Sequence, residues 1–320
     1  MNASQVELAP PSTPIDLSSL HDVAASPASK TLRIVRRIDA RLAFALVCVW
    51  LLWGSTYLAM RFVVSEIPPF MMAGSRFLCA GSALLAFARA RGAAFPSAKT
   101  WTRAIPIGAL LFLGGNGFIV VAEQSLPSTI AAAVCATTPL IVAAIGALRG
   151  DRPKRGELVG MAFGLCGVIV LALGTPLAGA GLRGLLIILG PITFALGSLL
   201  VRREGPSAGL AHSAAHMIAG GFWMIMTSLV LHERVPAHVG FGAIGAWLWL
   251  VVFGSLVGFS AYTWLLRNAR PAVAMSFAYV NPIVAVLLGA LIGGEPLGVG
   301  TIASTALIAV GVMCAILLRQ

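Results

Sequence analysis

Residues 128–150 read STIAAAVCATTPLIVAAIGALRG, and residues 271–293 read PAVAMSFAYVNPIVAVLLGALIG. Each is an apolar run of helical length interrupted by a proline, Pro139 in the first and Pro282 in the second. Pro139 and Pro282, Gly146 and Gly289, and Gly150 and Gly293 all stand 143 positions apart, so two halves of the chain align here without a gap. A proline inside a helix releases the carbonyl four residues earlier, and lipid has no water to satisfy it. Such a break persists only beside protein or a wet cavity. Interrupted helices at matching positions of two halves point to the substrate site of a transporter, and the two prolines are candidate hinges.

Composition sets the class around these stretches. The 320 residues are 58% hydrophobic and 10% charged, and the mean hydropathy is +0.93, values foreign to a soluble globule. Ten apolar stretches follow one another at about 42–64, 69–88, 104–122, 128–148, 156–174, 182–201, 209–231, 242–266, 271–292 and 298–318. Each approaches the roughly 20 residues that a helix needs to cross a ~30 Å hydrocarbon layer. The expectation is an all-α membrane protein with ten transmembrane helices. Residues 1–40, rich in Ser, Pro and Ala, read as a disordered tail. The first apolar segment starts too late and runs too long for a signal peptide.

The net charge of +11 invites a nucleic-acid reading, but its distribution excludes one. With the N-terminus placed in the cytoplasm, Arg183 and Arg234 fall in outer loops and Arg61 and Arg76 within spans, while the rest of the 22 Lys/Arg lie inside. That asymmetry is the positive-inside pattern, and ten spans return the C-terminus to the cytoplasm too. Cys48, Cys79, Cys135, Cys166 and Cys314 fall one per apolar segment, which suits small packing residues rather than a disulfide framework or metal site.

Five spans per half is an odd number, so the second half (182–318) inserts upside down relative to the first (41–174). The expected architecture is two inverted five-helix repeats with a pathway at their interface near the midplane. Gly156, Gly160 and Gly164, like Gly146 and Gly150, recur at the spacing that lets helices approach closely. Packing within one chain accounts for them more simply than a dimer interface, and the oligomeric state stays open.

Trp53-Gly54-Ser55-Thr56-Tyr57, Pro68-Pro69 followed by Arg76-Phe77, and Pro139 followed by Asp151-Arg152 resemble the EamA branch of the drug/metabolite transporter superfamily. Further matching stretches are Met71 to Gly74, Gly115-Asn116-Gly117, Val121 to Gln124, Arg267-Asn268 and Tyr279 to Gly289. The similarity covers about residues 42–318. It implies ten helices as two EamA repeats and export of small metabolites, amino acids or drugs across a bacterial inner membrane. The residues alone support a transporter without fixing its direction.

Arg76 lies about eight residues into the second span, where a charge costs roughly 2.5–3.5 kcal/mol and must find a partner or a wet cavity. It is a candidate group for a substrate carboxylate or phosphate, and equally a structural partner of Glu123 at the end of the third span. Glu123 is the coupling candidate if transport uses protons, with an ordinary loop acid as the alternative; Arg61 reads as snorkelling to the interface. Asp151 and Glu295, which follow the two broken helices, suit a loop or capping role. Asn281 beside Pro282, Thr138 beside Pro139, and Asn116 between glycines are candidate polar groups of the pathway. Trp53, Tyr57, Tyr262 and Tyr279 are its candidate aromatics. His212 and His216 share a helix face but have no carboxylate or cysteine predictably near, so a wet histidine pair fits better than a metal site.

No HExxH-like pair and no paired nucleophile occur, so an intramembrane enzyme is the weaker reading. No cofactor is expected. The expected partners are a small-molecule substrate and the lipid bilayer, with the proton as candidate coupling ion. Sugar-phosphate or nucleotide-type carriers of the same fold would want several basic groups in the cavity. Arg76 and Arg61 are the available ones, so zwitterionic or uncharged substrates fit better.

Overall fold

The computed structural model describes residues 40–126, 128–148, 155–173, 181–234, 236–269, 271–294 and 298–317. The tail read at 1–40, Asp151 and Glu295 therefore fall outside the described residues, save Ala40. Among the described residues the secondary structure is helical throughout. The first five elements are α1 (Ala40–Val64), α2 (Pro69–Ala90), α3 (Ala98–Glu123), α4 (Ser128–Cys135) and α5 (Thr138–Leu148). Next come α6 (Arg155–Leu173), α7 (Gly181–Arg203), α8 (Leu210–Val230) and α9 (Phe241–Asn268). The last three are α10 (Pro271–Ala274), α11 (Phe277–Leu291) and α12 (Val299–Leu317). Among the described residues six helices are long and apolar enough to cross a membrane: α1, α2, α3, α8, α9 and the 186–203 part of α7.

Helix starts obey local chemistry. Pro69 opens α2 at the position where a missing N–H costs nothing. The carboxylate of Glu233 accepts from the Phe70 and Met71 amides at 3.2 and 2.7 Å, so an acid from beyond α8 caps α2. Ser97 caps α3 by accepting from the Thr100 amide.

The long helices are not uniform. α3 widens to a π-helix over Ala109–Gly117 and α9 does so over Leu250–Val257, in matching parts of the two halves. Both widened stretches contribute to the buried centre, as π segments at functional sites often do.

The breaks expected at the two prolines differ from each other. The first is the turn Ala136–Thr137, and Pro139 sits second in α5, where helices tolerate it. The second is the turn Met275–Ser276, and Pro282 lies inside α11 rather than at the interruption. Short hydroxyl side chains stabilise these turns. Thr137, Thr138 and Ser276 donate to the carbonyls of Val134, Cys135 and Val273 at 2.7, 2.7 and 2.8 Å.

Equivalent helices of the two halves pack together. α2 runs along α8 and α6 along α12, and the first piece of one broken helix, α4, lies against the second piece of the other, α11. Glycine permits the closest crossings: a Cβ at Gly108 of α3 would stand 2.6 Å from the Gly220 amide nitrogen of α8. That neighbour is backbone and cannot rotate away, whereas Gly245 in α9 faces open space. Gly108→Ala should therefore lower the thermal midpoint in detergent, at a cost of about 1–3 kcal/mol for overpacking. Gly245→Ala should leave the midpoint unchanged or raise it, and equal effects of the two would rule out this close approach.

Candidate functional site: a buried cavity between the two halves

A cavity of about 80 Å³ lies where α1, α2, α3, α4, α5, α7, α9 and α11 meet. By volume it has room for a handful of water molecules. Six of the residues singled out from the sequence border it: Trp53, Tyr57, Arg76, Asn116, Thr138 and Asn281. Trp53 and Tyr57 are four apart on α1 and so share one face. Thr138 and Asn281 are 143 positions apart and are 3% and 1% exposed, so equivalent positions of the two halves meet at one cavity.

Trp53 anchors the aromatic wall. Its ring centroid lies 4.7 Å from Tyr262, 4.9 Å from Phe277 and 6.0 Å from Phe194. Its indole N–H donates to the Gly254 carbonyl at 2.9 Å, within the π stretch of α9. That bond turns the apolar face of the indole into the cluster while its single donor is satisfied. Trp50, one turn earlier, donates to Ser276 Oγ at 3.0 Å, so α1 grips both the π segment and the second break.

The polar side is built around Arg76, which is buried. Its Nη2 donates to Asn116 Oδ1 at 3.4 Å, and its guanidinium lies 4.1 Å over the Phe77 ring. Asn281, in the amide orientation that satisfies its neighbours, donates to the carbonyls of Trp50 and Phe277 at 3.2 and 3.0 Å. The Tyr57 hydroxyl meets the side chains of Cys135 and Asn281.

The other predicted residues lie elsewhere. Tyr262 is wholly buried behind Trp53, where its hydroxyl meets Ser198 Oγ at 2.7 Å, and it does not border the cavity. Tyr279 is buried in α11 and also off the lining. Glu123 is buried, off the lining, and within electrostatic reach of Arg76 and Tyr57. Pro139 and Pro282 are buried near the lining residues Thr138 and Asn281 without bordering the space themselves. Thr56, Phe112, Pro191, Phe194, Phe259 and Phe277 border it without having been singled out. Of these, Thr56 alone carried a signal, inside the Trp53–Tyr57 stretch; the others are apolar residues within apolar runs.

A second polar cluster joins α7, α8 and α9. Glu204 accepts from His216 Nε2 at 3.0 Å and from Arg267 Nη2 at 2.9 Å, with the three side chains at most 6% exposed. Arg267 also donates to the Ala208 carbonyl at 2.8 Å. Glu204 is thus the carboxylate beside the histidine pair that sequence spacing does not place. Among the described residues, no three His, Cys, Asp or Glu gather as a metal site would require. Burial alone would raise the Glu204 carboxyl, but His216 and Arg267 outweigh it and hold it below its usual 4.5.

The EamA-like transporter family model matches the chain twice, over residues 41–173 and 182–317. The chain is 43% identical over 257 residues to the uncharacterized inner membrane transporter YedA of Escherichia coli K12, covering 79% of this chain and 83% of that one. It is 28% identical over 257 residues to protein PecM of Dickeya dadantii, covering 78% and 82% of the two chains. A solved crystal structure shares the fold at a TM-score of 0.69 and 22% identity, over 88% of this chain and 99% of the other.

The depressed Glu204 carboxyl gives stability a pH signature. Its contribution is complete above 4.5 and is lost as pH falls through the lowered folded-state value. Glu204→Gln should lower the thermal midpoint near pH 7, and its deficit should shrink on acidification below 4.5. A deficit that stays constant down to about pH 3 would contradict this role.

Proposed function

The chain belongs to the EamA-like transporter family, and from that premise we propose that it is a secondary carrier whose substrate site is the buried cavity. One observation carries the reading: Thr138 and Asn281, equivalent in the two halves, border the same space. A pathway at the interface of repeats brings equivalent residues together in this way. The pairing of α2 with α8 and of α6 with α12 supports it further.

In this reading the chain crosses a bacterial inner membrane ten times, with both termini cytoplasmic. The broken pairs α4–α5 and α10–α11 and the helices α6 and α12 join the six long apolar helices as spans. Two inverted repeats, 41–174 and 182–318, rock about the cavity and export small metabolites, amino acids or drugs. The turns at 136–137 and 275–276 let the half-helices bend. Pro282, by lacking an N–H, withholds a helical bond from the Ala278 carbonyl and so softens α11. Glu123 takes and releases the coupling proton. A phosphate carrier fits less well, since Arg76 is the single basic residue bordering the cavity among the described residues.

Flux through purified chain in liposomes, with labelled amino acids and lipophilic drugs and with or without a pH gradient, tests the proposal. Saturable, gradient-stimulated movement is expected. Glu123→Gln should remove the stimulation by the gradient and leave saturable exchange in place. Pro282→Ala should reduce flux several-fold while insertion stays intact. Movement that never saturates would refute the carrier, and stimulation surviving in Glu123→Gln would remove that residue from coupling.

A further inference from the structure

Arg76 is 3% exposed and borders the cavity, yet its donors are only partly used. Nη2 reaches Asn116 at 3.4 Å, a long bond. Nε and Nη1 have no hydrogen-bond partner among the described residues. A guanidinium is planar, carries its charge at every accessible pH, and matches a carboxylate with two parallel N–H bonds. Donors of a buried charge left unfilled beside a cavity call for a ligand or water to complete them. Glu123 acts on Arg76 electrostatically but does not border the space, and among the described residues no other acid borders it either.

The rest of the lining limits what such a ligand can be. Trp53, Phe194 and Phe277 present ring faces and edges rather than hydrogen-bonding groups. A free inorganic anion would leave that wall without a contact. A dianionic phosphate would face a single guanidinium among the described lining residues, which leaves one of its charges unmatched. A cationic amine would meet Arg76 without a lining acid to offset the repulsion.

We propose that the cavity receives a small organic monoanion, its carboxylate on the guanidinium of Arg76 and its apolar, ring-sized body against Trp53, Phe194 and Phe277. The proposal rests on the reading of this cavity as the substrate site. It narrows the range of substrates by charge as well as by size.

Benzoate, benzamide and benzamidine have nearly the same shape and differ in charge, so they separate the alternatives. Equilibrium dialysis of each against the full chain in detergent should show benzoate binding at least about tenfold more tightly than the other two. Arg76→Gln should abolish that preference and Arg76→Lys should keep part of it. Asn116→Asp places a carboxylate against Arg76 with little change in shape. It should weaken benzoate about tenfold and leave benzamide within about twofold, which keeps the test informative if Arg76→Gln fails to fold.

Benzamide or benzamidine binding as well as benzoate would overturn the proposal. So would a preference that survives Asn116→Asp, or no binding of benzoate. Counterflow in liposomes scores the carrier separately. Saturable exchange of benzamide without preference for benzoate would leave the carrier standing and overturn the anion. Arg76-dependent benzoate binding with no exchange of any compound would do the reverse.

Discussion

Inside a bilayer a released backbone carbonyl must be taken up by the protein itself, and the centre of this chain is arranged around that constraint. Both helix breaks are served by hydroxyls one turn away: Thr137 and Thr138 at the first, Ser276 at the second. The π stretch of α9 offers the Gly254 carbonyl, and the Trp53 indole N–H donates to it. Asn281 reaches back to carbonyls of α1 and α11. A small set of polar side chains thereby holds irregular backbone in the buried centre. Because those side chains come from different helices, the irregular segments are drawn to one place.

That convergence is also what leaves a cavity. Regular helices pack ridge into groove and fill space, whereas a π stretch widens its helix and shifts the register of the turns beyond it. The widened parts of α3 and α9 sit at matching positions and bring Gly115, Asn116 and Gly254 to the lining. Bulky rings from α1, α7 and α11 close most of the room. The remainder is a space bordered by aromatic rings and by one arginine among the described residues.

Much of this is legible in the sequence, and the failures have physical causes. The repeat spacing of 143 puts Thr138 and Asn281 in register without any structure. Tyr279 is a different matter. It stands two residues before Asn281, about 200° around a helix, so the two cannot face one cavity, and Tyr279 turns away from it. Pro282 draws the second break to itself because proline is the conspicuous breaker, but a Ser within an apolar run carries no comparable signal. Nor do the π segments, whose register depends on non-local packing such as Gly114 against Thr193 and Gly115 against Phe194. Glu204 resembles a loop acid because its partners His216 and Arg267 lie 12 and 63 positions on.

With Glu123 as the proposed proton carrier, the charges at the centre fix a sign for coupling. Arg76 and Glu123 are both buried and feel each other, and in a medium of low dielectric such a pair is close to neutral as a unit. An anion arriving at Arg76 turns that unit net negative, a cost that a proton on Glu123 removes. A cation arriving there is instead favoured by the loss of that proton. Given Glu123 as the proton carrier and Arg76 as the anion receptor, proton and substrate therefore stabilise each other's binding, because linkage between two sites is reciprocal. The pair would then cross together as a neutral acid equivalent, so export would draw on the substrate's own outward gradient and carry a proton out with it. The carrier would move no net charge per cycle, and the membrane potential would exert no force on the transport step.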